Sequence, residues 1–117
     1  MEPLRLSQTV MDEYSARILL GTSERPASAL ELSHRFGIPI AACYRRIRQL
    51  QDLGLVFCER ELPSRNGKGL QLFRSRLKSI RVALEEGKLL TRIVLDASGE
   101  PQASEQVLNL TETRPPA

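Results

Sequence analysis

Histidine occurs once in the 117 residues, at position 34, and cysteine twice, at positions 43 and 58. A lone histidine with no cysteine or acid cluster beside it makes no metal site. It also leaves Ser33, Ser64 and Ser75 without a partner-base pattern. His34 is expected at the surface. Cys43 and Cys58 share no metal-ligand spacing. Both fall on apolar positions, so reduced, buried thiols are expected. No apolar run is long enough to cross a membrane. The opening MEPLRLSQTVMDEY lacks the basic-then-apolar layout of a signal peptide, so a cytoplasmic protein is expected. Asn66-Gly67-Lys68-Gly69 lacks the spacing of a phosphate-cradling loop. No catalytic residue, cofactor or metal follows, and nothing supplies an enzyme with a nucleophile and base.

An apolar fraction of 41% is enough for one small core. The net charge of +3 hides a division. From His34 to Arg81 eleven Lys/Arg meet three Asp/Glu, a net of +8, whereas the rest has six against eleven, a net of −5. Positive charge is thus gathered where a polyanion would sit.

The basic segment begins as two short helices. Ser28 is an N-cap, with Glu31 three residues on as its capping-box partner. Leu32 and Phe36 share a face with Ala29 above them. Gly37 ends the helix, Ile38 plugs the core, and Pro39 suits the first turn of the next helix. There Cys43, Ile47 and Leu50 repeat at i, i+4, i+7, which defines the buried stripe. The opposite face carries Ala41, Ala42, Arg45, Gln49 and Asp52, with Tyr44, Arg46 and Arg48 on its flanks. An earlier helix is expected over residues 8 to 20, with Val10, Met11, Tyr14, Ile18 and Leu19 inward and residues 1 to 8 loose. After Gly54 comes a strand from Leu55 to Leu62. A turn carrying Asn66-Gly67 follows, then a return strand from about Leu70. Helix, turn, helix and a hairpin with a basic tip make a winged helix. The expected fold is therefore α+β: a winged helix-turn-helix of three helices and a basic β-wing over residues 8–76, with a C-terminal β-hairpin extension.

That extension, residues 77–95, reads two ways. Ile80, Val82 and Leu84 alternate as in a strand, with Glu86-Gly87 as a turn and Leu89 to Leu95 returning. Leu77, Ile80 and Leu84 also fit a helix at i, i+3, i+7. The β-branched residues and Gly87 favour strands. This hairpin is a candidate dimerisation element. Residues 96–117 are polar, acidic and proline-bounded, and read as a flexible tail.

The run GIPIAACYRRIRQLQDLGLV resembles small prokaryotic, especially archaeal, ArsR-like winged-helix regulators. Glu31, Leu32, Ser33, Gly37, Ile38, Pro39, Tyr44, Arg45, Arg46, Ile47, Leu50, Gly54, Leu55 and Val56 carry the likeness, which covers about residues 8 to 95. The resemblance implies a homodimer on a two-fold DNA operator, usually a repressor. It implies helix 39–53 in the major groove and wing 62–70 on the backbone or minor groove. Ala41 and Ala42 depart from the Ser-Thr pair common there, offering methyls that could meet thymine. The paired cysteines or histidine-acid clusters of metal-sensing members are missing, so no metal sensing is implied.

The candidate DNA-binding residues are Ala41, Ala42, Tyr44, Arg45, Arg46, Arg48, Arg65 and Lys68, with Arg74 and Arg76 secondary. Arginine pairs bidentately with guanine or binds phosphate. The expected partner is double-stranded DNA, with no membrane and no identified effector. The competing expectation is a winged-helix protein-interaction module in a larger assembly.

Overall fold

The computed structural model describes residues 3–63, 67, 69–97 and 99–111. Four helices lead: α1 (Pro3–Met11), α2 (Glu13–Gly21), α3 (Ala29–Phe36) and α4 (Ile40–Asp52). Five strands follow: β1 (Val56–Leu62), β2 (Leu70–Ser75), β3 (Leu77–Glu85), β4 (Lys88–Ala97) and β5 (Glu100–Asn109). β1 and β2 form one antiparallel pair, and β3–β4–β5 a second antiparallel sheet. The fold is α+β.

The single helix expected over residues 8 to 20 is two helices, so four precede the strands rather than three. The first starts at Pro3, inside the stretch expected to be loose; proline suits a first helical turn because its missing N–H had no partner there. The break falls at Asp12, whose backbone is extended (φ −64°, ψ 129°). Its carboxylate accepts the Ser15 N–H at 3.0 Å and the Ser15 hydroxyl at 3.1 Å, starting α2 as an N-cap. The break also resets the helical phase. Ile18 and Leu19 are buried and Val10 and Tyr14 pack against the core, but Met11, expected inward, is 75% exposed. Thr22 closes α2; its buried hydroxyl donates to the Ile18 carbonyl at 2.8 Å.

The β1–β2 pair is held to the helices by main-chain bonds. Ala27 N–H donates to the Phe73 carbonyl at 3.0 Å, and Phe73 N–H returns the bond at 2.8 Å. The linker after Pro26 thereby acts as a third, one-residue strand. Phe73 enters the core cluster with Ile18, Leu32, Ile47, Leu50 and Leu55. Arg76 N–H donates to the Leu55 carbonyl at 2.8 Å, and the Arg76 carbonyl accepts Asp96 N–H at 2.7 Å, so one residue ties the two sheets together.

Residues 77 to 95 are strands. Glu85 pairs with Lys88, and Glu86 and Gly87 both have positive φ (49° and 72°). Such a two-residue turn matches the twist of a hairpin. Of the flexible tail expected over residues 96–117, positions 98 and 112–117 lie outside the described residues, and 100–109 form a strand instead: β5 pairs along all of β4, from Ala97↔Glu100 to Lys88↔Asn109. The polarity that suggested disorder is that of an edge strand. Its side chains are exposed except Gln106 and Leu108, which are half-buried and lie opposite Thr91 and Leu89. Pro101 is tolerated because it lies near the start of an edge strand. β4 supplies the reason for pairing: with β3 on one side, its other row of amides and carbonyls needs partners.

Leu6 of α1 joins these parts. It is 2% exposed and belongs to the same buried cluster as the helical core and Ile93 of β4.

Candidate nucleic-acid interface

Helices α3 and α4 are locked at the turn between them. Ser28 caps α3, its hydroxyl accepting Glu31 N–H at 3.1 Å. Gly37 takes the left-handed conformation (φ 65°) that ends α3 without a Cβ clash. Ile38 N–H donates to the Ser33 carbonyl at 3.0 Å, and the Ser33 hydroxyl donates back to the Ile38 carbonyl. Across the pair, the buried Cys43 thiol donates to the Ala29 carbonyl at 3.4 Å. Burial pushes the Cys43 thiol pKa up. Cys58 is also a free thiol, only half-buried.

Pro39 is the N-cap of α4 rather than its first helical residue, and it makes no side-chain cap bond. No acid occupies the first turn. The leading N–H groups of α4 thus have no side-chain acceptor, and the helix dipole adds partial positive charge there. Cys43, Ile47 and Leu50 face the core, as their spacing predicted.

The outward face differs from the expected one at two residues. Ala42, placed outside by helical phase, is only 8% exposed and sits in the core cluster. The apolar stripe is therefore wide enough to include the residue beside Cys43, and the Ala42 methyl is not offered to a ligand. Arg46 is the second. It donates from Nε to Asp12 Oδ2 at 2.8 Å and from Nη2 to Oδ1 at 3.3 Å, and it lies 5.8 Å over the Tyr14 ring. The Arg46 guanidinium holds the Asp12 carboxyl below its ordinary range. Arg46 braces α4 against the α1–α2 junction.

Of the candidate residues on α4, Ala41, Tyr44, Arg45 and Arg48 remain outward and exposed, with Gln49 and Asp52 exposed further along the helix. Arg45 and Arg48 have no ion-pair partner among the described residues. Tyr44 is 48% exposed. His34 is exposed in the last turn of α3, beside the same turn. Of the secondary candidates, Arg74 pairs with Glu59 at 3.3 Å and Arg76 stacks over Phe57 at 4.3 Å. The wing-tip candidates Arg65 and Lys68 lie outside the described residues. Among the described residues, no group of three or more His, Cys, Asp or Glu could hold a metal ion.

Sequence reasoning missed Asp12 as a functional support. The signal was present: Asp12, then Glu13, then Ser15 is an N-cap followed by an acid in the first turn. Its long-range partner Arg46 had no sequence signal.

Residues 10–57 match the family model described as a helix-turn-helix domain, which spans α2, α3, α4 and the first residues of β1. That span carries a helix-turn-helix domain. No curated protein matches the chain.

Proposed function

We propose that the protein is a sequence-specific DNA-binding transcriptional regulator of ArsR-like type. In this reading α4 enters the major groove, and the β1–β2 wing with Arg65 and Lys68 meets the backbone or minor groove. The observation that carries it is the outer face of α4. Two arginines without ion-pair partners, a tyrosine and a small residue stand beside an uncapped helix start, within a helix-turn-helix domain. Alanine at the entry end allows close approach to base edges, and arginine reads guanine or grips phosphate. The protein acts in the cytoplasm as a homodimer and as a repressor. The dimer reading is supported by Val82 and Leu84 of β3, which leave 38% and 72% of their surface exposed.

The test is fluorescence anisotropy with a labelled duplex from upstream of the protein's own coding region, against a scrambled duplex of equal composition. The expected preference is at least about 10³-fold. Equal affinity for the two duplexes would refute sequence-specific recognition. The same exposed apolar residues favour a second reading, a protein-interaction module, whose signature is partner binding that survives Arg45→Ala.

A further inference from the structure

The three-stranded sheet ends on one side at β3, which pairs with β4 and has no strand along its other edge among the described residues. The opposite edge, β5, is protected against pairing. Pro101 removes a donor, and Glu100 and Glu105 make the strand acidic, with no Lys or Arg between residues 100 and 109. β3 is built differently. Its far half reads Arg81-Val82-Ala83-Leu84-Glu85. Val82 and Leu84 share one sheet face with Thr91 and Leu89, their partners on β4, yet leave 38% and 72% of their surface exposed. Arg81 and Glu85 belong to the other face. Both are exposed, and neither makes an ion pair among the described residues. Arg81 stands opposite Arg92 of β4, a like-charge pair that is unfavourable within one sheet. Arg92 has Glu105 of β5 on its other side, whereas Arg81, at the edge, has no strand to supply an acid.

We propose that β3 pairs antiparallel with β3 of a second copy of this chain, about a two-fold axis at Ala83. In that register the segment is complementary to itself. Arg81 of each copy lies opposite Glu85 of the other, Val82 opposite Leu84, and Ala83 opposite Ala83. Residues directly opposite point to the same face, so the exposed aliphatic pair is covered on one face and the charges meet on the other. Neighbouring registers lose this match. An axis at Arg81 sets the two arginines against each other. An axis at Val82 puts Arg81 opposite Ala83 and Glu85 opposite Ser79, and an axis at Leu84 puts Arg81 opposite Gly87. The join also bonds the main-chain groups of β3 that β4 leaves unpaired, and it merges two three-stranded sheets into one of six. The contact is isologous, so it closes at two copies, with the protected β5 strands as the outer edges.

The pairing rests on the homodimer reading and gives that dimer a surface and a register. Two paired five-residue segments make an interface below the standard size, so the free protein is expected to dimerise with Kd of about 10–100 µM.

The experiment is sedimentation velocity of the full chain without DNA, across a concentration series at low salt, for the wild type, Arg81→Glu, Glu85→Arg and an equal mixture of the two variants. Each variant alone sets like charges opposite at both ends of the join and is expected to dimerise at least about tenfold more weakly than the wild type. The mixture is expected to regain wild-type affinity, because each arginine then meets a glutamate in the heterodimer; that recovery also shows both variants folded. Dimerisation of both variants at wild-type affinity would overturn the β3 pairing and leave the homodimer to another surface. Monomeric variants that stay monomeric when mixed would overturn the register. A wild type that is monomeric throughout would overturn the pairing and the homodimer reading together.

Discussion

Replacing Asp12 separates the two tasks of one carboxylate. It caps α2 through Ser15 N–H at 3.0 Å and receives Arg46 at 2.8 and 3.3 Å. A lost N-cap costs about 1 kcal/mol. The ion pair is two-pronged but partly exposed, with Arg46 and Asp12 side chains 24% and 34% accessible. It therefore belongs near the exposed end of the range, about 1 kcal/mol, well below the 3–5 kcal/mol order of a buried pair. Asp12→Ala should lose about 2 kcal/mol, the sum of cap and pair. Asp12→Asn retains an acceptor for Ser15 and should lose about 1 kcal/mol. Arg46→Gln should lose a similar amount, and the double variant Asp12→Asn/Arg46→Gln little more than either alone. Urea denaturation of the four chains measures the coupling. Additive losses, with coupling below about 0.3 kcal/mol, would refute the brace. The pH dependence has a defined sign. Arg46 lowers the Asp12 pKa from its ordinary 3.8, so the folded state holds this proton less readily than the unfolded chain. The wild-type advantage over Asp12→Asn is fully present above the unfolded value. It fades as pH falls through the folded value below it.

Two further perturbations test the packing around α4. A Cβ on Gly21 would stand 2.7 Å from the Phe36 ring and 2.8 Å from Leu32 Cδ2, so α2 and α3 approach only because no side chain intervenes. Gly21→Ala should destabilise by about 1–3 kcal/mol, and an unchanged melting temperature would count against that contact. In the folded protein a thiol reagent should modify Cys58 and spare Cys43, which is fully buried, bonded to Ala29 and raised in pKa. Both should react in urea, and equal rates in the folded state would contradict the burial of Cys43.

The α3–turn–α4 unit was legible because its signals are local. Ser28, Gly37 and the Cys43–Ile47–Leu50 stripe each act within one turn of helix, and each sits where its chemistry placed it. The Glu86-Gly87 turn was legible for the same reason, although the flanking periodicity admitted a helix. Three features were not legible, and each is tertiary. The N-cap at Asp12 was readable locally, but its pairing with Arg46, thirty-four residues later, was not. β5 is polar because it is an edge, and only β4's unpaired main chain accounts for its order. Ala42 looked outward on a helical wheel, but the core reaches one residue further around α4 than the Leu/Ile stripe implies. The division of the arginines follows from these contacts: Arg46 turns inward to Asp12, and Arg45 and Arg48 stay on the surface.

The measurement that tests the central claim most directly is the salt dependence of duplex binding for the wild type, Arg45→Ala, Arg48→Ala and Arg46→Gln. With about five phosphates neutralised per protein, log affinity should fall with log salt at a slope of about −4 to −5. Removing Arg45 or Arg48 should weaken binding and flatten the slope by about 1 wherever the lost contact is to phosphate. Arg46→Gln should leave the slope unchanged, because that cation is spent on Asp12. A slope near zero for the wild type, or one that responds to Arg46 and not to Arg45 or Arg48, would contradict the assignment of the outer face of α4 as the DNA-reading surface.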